Sequence, residues 1–259
     1  YSLTNWNRYS SNMDYVGLDN FRNIFTSGKP YVKYMTNTLL FTAVSNVVKI
    51  IPALFLALLL TSGVKGSNLY RSIMFFPYLL STLVVAIIFR AMLAPRNGFV
   101  NGFLTSVGLG NWTQRWLADK NWVWPSIFFV DAWKGVGYVM TIFVAGLESI
   151  PKYFYEAGDI DGTNYFQRLW FITLPMLTPS ITINLVFGLT YGLKVFDIIY
   201  ALTYGGPGRM PEVLNTAIFT EIGAGNLAMA SALSTLQFLL MTVLGYFVVK
   251  LMLKREVEA

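Results

Sequence analysis

Long apolar runs separated by short polar links dominate the chain, and this pattern predicts helices that cross a membrane. Five runs approach or exceed the ~20 residues that a helix needs to span a hydrocarbon core of ~30 Å. Each run predicts one spanning helix. The expected spans cover residues 36–60, 72–94, 122–147, 176–200 and 227–250.

The segment before the first span, residues 1–35, is polar and aromatic. Within it, Leu18, Phe21, Ile24 and Phe25 fall near helical spacing with polar residues between them, which predicts a short amphipathic helix. Such a helix either lies on a membrane face or packs against the protein, and the spacing leaves both alternatives open.

Residues 149–175 form the main polar interruption, between the third and fourth spans. Ser149 is the expected N-cap of a helix there, since Pro151 suits a first helical turn. Gly162 is expected to end this helix, because glycine readily adopts the left-handed conformation found at helix ends.

A second helix is predicted directly after Gly162. Asn164 is its expected cap, with Gln167 three residues later to reach back. Pro175 and Pro179 predict a kink or break where this helix meets the fourth span. A short helical hairpin between two spanning helices suits mechanical coupling better than chemistry.

The composition agrees with a membrane protein: 55% of the residues are hydrophobic, 12% are charged and the mean hydropathy is +0.53. The sequence has no cysteine and no histidine, which excludes disulfides, thiol nucleophiles and Cys/His metal sites. The net charge of +6 comes from scattered Lys and Arg that form no nucleic-acid-binding stripe. No G-x4-G-K-[ST] sequence is present, so any nucleotide hydrolysis must belong to another chain.

The hairpin carries the spacing of a known motif. Glu156-Ala157-Gly158, then Gly162, then Ile172-x-Leu174-Pro175 resembles the EAA motif of bacterial ABC-importer permeases. Gly158 departs from it, since the family usually has alanine there, and we expect the helix to be looser by ~1 kcal/mol. The stretches LTNWN, VGLDNF, AGLESIP and KVFDIIYALTYGGPG also resemble carbohydrate-importer permeases, so that the likeness covers nearly the whole chain.

This resemblance implies an all-α membrane protein, the transmembrane domain of a type I ABC importer. Five spans of a six-helix core are visible, and one helix is expected to precede residue 1. The expected domains are an extracytoplasmic leading segment (1–35), a permease domain (36–253) with its coupling loop (149–175) in the cytoplasm, and a cytoplasmic tail (254–259).

The resemblance also implies partners and a location. The partners are a second permease subunit, two ATPase subunits, an extracellular solute-binding protein, membrane lipid and a sugar, with no nucleic acid. The location is the bacterial inner membrane, where the chain crosses several times. This chain is expected to be a non-catalytic permease without a cofactor, and ATP and Mg are expected in the ATPase subunits.

In the family, the first helix of the hairpin docks in a cleft on the ATPase. Asp159 and Asp161 have an alternative interpretation as solvated or helix-end charges. The residues to which the resemblance carries the ATPase-coupling role are Glu156, Ala157, Gly158, Asp159 and Gly162.

Charged residues inside the spans are costly unless they pair or line a cavity. Asp131 and Lys134 are three residues apart, and Lys194 and Asp197 repeat that spacing on another span. One interpretation is two local ion pairs that hold the helix bundle together. The other assigns Asp131 and Lys134 to the substrate.

The resemblance favours the second interpretation, because the DAWKGVGY stretch falls on the sugar-contacting segment of the maltose-permease type of subunit. Charged residues stand where that type has less charged ones, so maltose itself is not implied. Trp133, Phe187 and Tyr191 either stack on sugar rings or pack in the bundle. The expected substrate-pathway residues are Asp131, Lys134, Gly135, Tyr138, Gly188, Tyr191 and Gly192.

Three functions remain open at this point. The first is import of a sugar or oligosaccharide handed over by the external binding protein. The second keeps the importer fold but changes the cargo to an anionic glycan or phosphorylated solute, motivated by Lys134 and Lys194. The third is an ion-conducting or scaffolding membrane protein, which only the intramembrane charges favour and which leaves the EAA spacing unexplained.

Overall fold

The computed structural model describes residues 1–10 and 12–257, with side chains described up to residue 252. The prediction of an all-α protein is confirmed, because the described residues contain no strand beyond one isolated bridge between Thr4 and Tyr15. The α-helices are α1 Asp19–Thr26, α2 Tyr31–Thr61, α3 Ser67–Leu79, α4 Thr82–Met92, α5 Phe99–Ser106, α6 Val123–Ser149, α7 Lys152–Ile160, α8 Tyr165–Arg168, α9 Leu174–Met176, α10 Thr178–Leu193, α11 Asp197–Thr203, α12 Leu214–Gly223 and α13 Leu227–Val257.

Three of these helices are each long and apolar enough to cross a membrane: α2, α6 and the Leu227–Met252 part of α13. Two more candidate spans are bent pairs. α3 and α4 meet at 92°, and Tyr165–Met176 meets α10 at 63°. The described residues therefore provide five spans if each bent pair counts as one, as the sequence predicted. The expected tail continues α13 through Val257, and residues 258–259 lie outside the described range.

The predicted fourth span, residues 176–200, is not one helix. α10 ends at Leu193, and α11 begins only at Asp197. Asn215 donates side-chain hydrogen bonds to the carbonyl of Lys194 at 2.7 Å and of Val195 at 3.4 Å. These bonds satisfy carbonyls that the end of the helix leaves free, which allows the chain to break there.

One compact unit consists of residues 1–44, 81–131 and 191–243. Its core includes Ile24 of α1 packed with Tyr31, Ala217 and Leu233. Of the predicted apolar face, Ile24 thus packs against the protein, whereas Leu18 and Phe25 are 70% and 58% exposed. Backbone hydrogen bonds from Arg8 to Gly225 and from Ala228 to Trp6 fasten the leading segment further.

A buried carboxylate, Glu221, holds the corner between the leading segment and α12. It accepts hydrogen bonds from Lys29 Nζ at 2.9 Å, Tyr31 Oη at 2.5 Å and Asn226 Nδ2 at 2.8 Å. Burial opposes ionisation of Glu221, but the hydrogen bonds from Tyr31, Asn226 and Lys29 outweigh it and lower its pKa. The hydrogen bond to Glu221 raises the pKa of Lys29.

A second unit consists of residues 45–80, 132–190 and the chain from residue 244 onward. Small residues of α2, Ala53 and Ala57, pack against Met140 and Phe143 of α6. Small side chains permit this close approach of two spanning helices. An ion pair of 2.7 Å between Arg71 and Glu148 adds a contact near the ends of α3 and α6.

Candidate functional site

The predicted coupling hairpin, residues 149–175, begins with α7. Pro151 is the N-cap residue of this helix, so the prediction of Ser149 as its cap was wrong. Ser149 is the last residue of α6, and its Oγ donates to the carbonyl of Gly146 at 2.7 Å. Gly162 follows the end of α7 with φ +71°, the left-handed conformation that the sequence predicted there.

The second helix of the hairpin begins as predicted. Asn164 Oδ1 accepts from the Gln167 amide at 2.9 Å, and Gln167 Oε1 accepts from the Asn164 amide at 2.8 Å. α8 then passes into a π-helical segment, Leu169–Thr173, and α9. The predicted kink is found at Leu177, between α9 and α10.

Several side chains tie α7 to the second helix. Asp159 forms an ion pair with Arg168, which also donates to the carbonyl of Thr163 at 3.3 Å. Tyr155 Oη and Thr173 Oγ1 lie 3.3 Å apart in a further hydrogen bond. Asp159 is thus bonded inside the hairpin, a role that neither of the sequence interpretations included.

Gly158 is the buried member of the predicted coupling residues. A Cβ atom added there would lie 2.9 Å from Ile172 Cδ1 and 2.9 Å from Thr163 Oγ1. Thr163 Oγ1 occupies that space because it donates to the Gly158 carbonyl at 2.7 Å. Packing therefore explains why glycine rather than alanine stands at position 158, even though glycine lowers the helix propensity.

The hairpin exposes much apolar surface. Among its apolar side chains, Ile160 is 87% exposed and Phe171 is 79% exposed. The exposed residues of α7 also include three of the predicted coupling residues, Glu156, Ala157 and Asp159. Large exposed apolar side chains on a polar segment are common at protein–protein contacts. These large apolar side chains were not predicted as contact residues, although their position in the motif was available from the sequence. Four more exposed aromatic residues belong to the hairpin: Tyr153, Tyr165, Phe166 and Trp170.

An aromatic row lies in the second unit. The rings of Tyr78 and Tyr138 stack at 4.5 Å between centroids, and Phe187 meets Tyr138 edge-on at 6.3 Å. Lys134 Nζ lies 5.0 Å from the centre of the Tyr78 ring and donates to the Tyr78 carbonyl at 3.1 Å. The ammonium thus occupies the C-terminal end of α3, where a positive charge is favourable.

Tyr78 is the member of this row that the sequence analysis missed. It lies one residue before the end of α3, at the break between α3 and α4. A Cβ atom on Gly137 would overlap the backbone at Met74, so this glycine permits α3 and α6 to approach closely. Pro77 was the available signal, because a proline inside a span marks a place where the helix can break.

Asp131 and Tyr191 meet in the first unit. Asp131 is only 2% exposed, and its Oδ1 accepts from Tyr191 Oη at 2.7 Å. The Tyr191 ring lies 6.3 Å from that of Phe41, which in turn stacks on Phe128 at 5.8 Å. A buried, hydrogen-bonded carboxylate on a spanning helix is costly to maintain, as expected of a functional or structural polar site.

The predicted pathway glycines are contact points rather than open spaces. A Cβ atom on Gly188 would overlap the Asn46 side chain, and one on Gly135 would lie 2.8 Å from Lys49 Cε. In the first unit, a Cβ atom on Gly192 would lie 2.7 Å from Thr42. The polar residues of α2 that meet these glycines were not predicted, although their spacing by three to four places them on one helix face.

The second charged pair does not have the predicted arrangement. Lys194 lies in the break after α10 and Asp197 begins α11, so they do not share a helix face. Within the described part of the chain they form no ion pair. Their local ion-pair interpretation is therefore wrong. The described residues also contain no cluster of three acidic side chains suited to a metal ion.

Residues 49–255 match the family described as binding-protein-dependent transport system inner membrane component. The chain belongs to that family. It is a multi-pass membrane protein and a permease subunit of an ABC importer. This membership accounts for the EAA spacing, which the ion-channel or scaffold alternative left unexplained.

Individual relatives align with almost the whole of this chain. It is 32% identical to the multiple sugar-binding transport system permease protein MsmF of Streptococcus mutans, over 99% of this chain and 88% of the relative. It is 30% identical to the sn-glycerol-3-phosphate transport system permease protein UgpA of Pectobacterium atrosepticum, over 96% of this chain and 83% of the relative.

Two crystal structures of a bacterial alginate ABC transporter share the fold at 25% identity. One superposes with a TM-score of 0.83 over 93% of this chain and 84% of the other. The second, which contains a periplasmic protein bound to an alginate pentasaccharide, gives 0.81 over 90% of this chain and 81% of the other. The type of fold expected from the sequence is therefore confirmed.

Proposed function

We propose that this permease subunit imports a sugar or oligosaccharide that an external solute-binding protein delivers. The aromatic row of Tyr78, Tyr138 and Phe187 carries the proposal. Sugar rings have C–H faces that pack on aromatic rings, and carbohydrate sites combine such rings with a few placed polar groups. The names of the sugar and alginate relatives support the same class of cargo.

The other predicted pathway residues have supporting roles in this proposal. Asp131 and Tyr191 provide polar atoms on spanning helices, since both belong to predicted spans and are hydrogen-bonded to each other. Gly135, Gly188 and Gly192 permit close contact with the polar side chains of α2. These side chains would offer hydrogen bonds to a hydroxyl-rich solute as the helices move.

The coupling hairpin is the proposed contact with the ATPase. Its exposed apolar side chains, together with Glu156 and Ala157, would enter a cleft on that subunit. The buried Gly158 and the left-handed Gly162 would set the shape of the hairpin. ATP and Mg would bind to two ATPase subunits, and a second permease would complete the pathway.

An anionic cargo is the second candidate, and Lys134 is the observation that favours it. Its ammonium lies beside the Tyr78 ring, where it could bind a carboxylate or phosphate as well as the Tyr78 carbonyl. The relatives include a glycerol-phosphate permease and a transporter of the acidic polysaccharide alginate.

The complete complex in liposomes tests the carbohydrate site. Tyr138→Leu should raise the KM for uptake by about two- to thirteenfold, since a ring stack is worth ~0.5–1.5 kcal/mol. Phe238→Leu, which changes an exposed phenylalanine of α13, serves as the matched control. Equal KM values for the two variants would contradict the role of the row, and uptake by the lone chain would contradict the proposed subunit function.

Competition uptake separates the two cargoes. If the cargo is anionic, Lys134→Gln should weaken uptake of acidic glycans while leaving neutral glycans nearly unaffected. Tyr78→Phe serves as a control for the position of the ring, because it keeps the aromatic face. An unchanged ratio of acidic to neutral glycan uptake in Lys134→Gln would reject the cationic site.

A further inference from the structure

The link between α4 and α6 contains a long uncharged stretch. Residues 97–114 include no Asp, Glu, Lys or Arg, although they lie outside the predicted spans, and Arg96 and Arg115 flank them directly. The stretch contains α5 and a short 3₁₀ turn, Gly110–Trp112. A link that only crosses water would ordinarily carry charge, so this composition needs a physical explanation.

α5 has two chemically different faces. Phe99 and Phe103, one helical turn apart, stack at 6.3 Å between ring centroids and are 66% and 56% exposed. Asn101 and Thr105 lie on the other face, which lines a polar cleft. Asn101 fixes this cleft, because its side chain accepts from Trp116 Nε1 at 2.8 Å and donates to the Gln114 carbonyl at 2.9 Å.

The apolar face continues beyond the helix. The 3₁₀ turn contacts α5, and its Trp112 is 69% exposed. Val107 and Leu109, between the two elements, are exposed as well. Three aromatic and two aliphatic side chains are therefore exposed on this uncharged link.

The connections of the chain place this surface beside a membrane. α4, one half of a candidate span, ends at Met92, only a few residues before α5, and the two helices are in contact. The link then returns to α6, a complete candidate span that begins at Val123. Both spans must meet the same bilayer surface there, so α5 lies within a few residues of the lipid headgroups.

We propose that α5 and the 3₁₀ turn lie in the membrane interface, with Phe99, Phe103 and Trp112 inserted at the boundary between headgroups and acyl chains. Trp and Phe favour this region, and amphipathic helices bind it through their apolar face. Exposed Arg96 and Arg115 bracket the surface and bind lipid phosphates.

The absence of cysteine from the sequence permits a direct test. Single spin labels are placed at Phe103→Cys on the apolar face and at Thr105→Cys on the cleft face of the full chain. The labelled proteins are reconstituted in liposomes of phosphatidylethanolamine and phosphatidylglycerol. Collisions with oxygen report lipid exposure, and collisions with a water-soluble nickel chelate report water exposure.

We expect the ratio of oxygen to nickel accessibility to be several-fold higher at position 103 than at position 105. Water exposure at both positions would overturn the proposal, and so would lipid exposure at both, since α5 would then be embedded rather than interfacial. Shielding of position 103 only after addition of a partner subunit would assign the face to protein instead. If Phe103→Cys does not insert, Phe99→Cys tests the same face.

Discussion

Replacement of Gly158 by alanine, the residue usual in the family, should destabilise the hairpin of residues 149–175. Alanine gains ~0.8–1.0 kcal/mol of helix propensity over glycine. The new Cβ, however, would lie 2.9 Å from Thr163 Oγ1 and 2.9 Å from Ile172 Cδ1. The end of Ile172 can rotate away, but Thr163 is held by its 2.7 Å bond to the Gly158 carbonyl.

The two opposing effects can be compared. Overpacking typically costs ~1–3 kcal/mol, and loss of the Thr163 hydrogen bond adds ~0.5–1.5 kcal/mol. These costs exceed the gain in propensity, so that Gly158→Ala should destabilise the hairpin by ~0.5 kcal/mol or more. In Gly158→Ala/Thr163→Ala the hydroxyl is absent, and the gain in propensity offsets the lost hydrogen bond. The double variant should therefore resemble the wild type, with a coupling of ~1–2 kcal/mol between the two positions.

Hydrogen exchange by mass spectrometry, on the full chain in nanodiscs, measures this local stability. The amide of Thr163, which donates to the Gly158 carbonyl at 2.9 Å, lies within the peptide to be followed. A free-energy loss of ~1.4 kcal/mol corresponds to about tenfold faster exchange where exchange follows local opening. Equal exchange in the single and double variants, or slower exchange in Gly158→Ala than in the wild type, would refute the packing argument.

Three other predictions concern the hairpin and the Glu221 corner. Arg168→Gln should raise the hydrogen-exchange rate of the hairpin by about 1.4- to fivefold, because the exposed ion pair with Asp159 is worth ~0.2–1 kcal/mol. The charge swap of both residues should restore the slower rate. Gly162→Asp should leave membrane insertion intact but weaken attachment to the ATPase, as measured by co-purification. A residue with a side chain is strained by ~1–2 kcal/mol at the left-handed φ of +71° found at this position. Glu221→Gln should lower the thermal stability of the full chain near neutral pH. The folded-state pKa of Glu221 lies below 4.5 and that of Lys29 lies above 10.5. The Lys29–Glu221 interaction therefore stabilises the folded protein at every pH between these two values. This stabilisation is lost as the pH falls through the pKa of Glu221 or rises through the pKa of Lys29. The difference in thermal stability between the wild type and Glu221→Gln should therefore shrink at both extremes of pH. A constant difference would contradict the assignment.

The sequence by itself determined the features that depend on local chain chemistry. The lengths of the apolar runs fixed the number of candidate spans, because a helix must satisfy its own backbone hydrogen bonds to cross a bilayer. The capping box of Asn164 and Gln167 and the left-handed Gly162 were also predictable, because each depends on residues within one helical turn of the sequence.

Only the tertiary structure decided where the spans break and which side chains meet. The helix break after Leu193 depends on hydrogen bonds from Asn215, which lies in another helix. The aromatic row depends on the stacking of Tyr138 on Tyr78, which belong to two different helices. Asp159 likewise found its partner, Arg168, across the turn of the hairpin. Contacts of this kind join residues from separate elements, and hydrophobic periodicity identifies the face of a helix without identifying its neighbour.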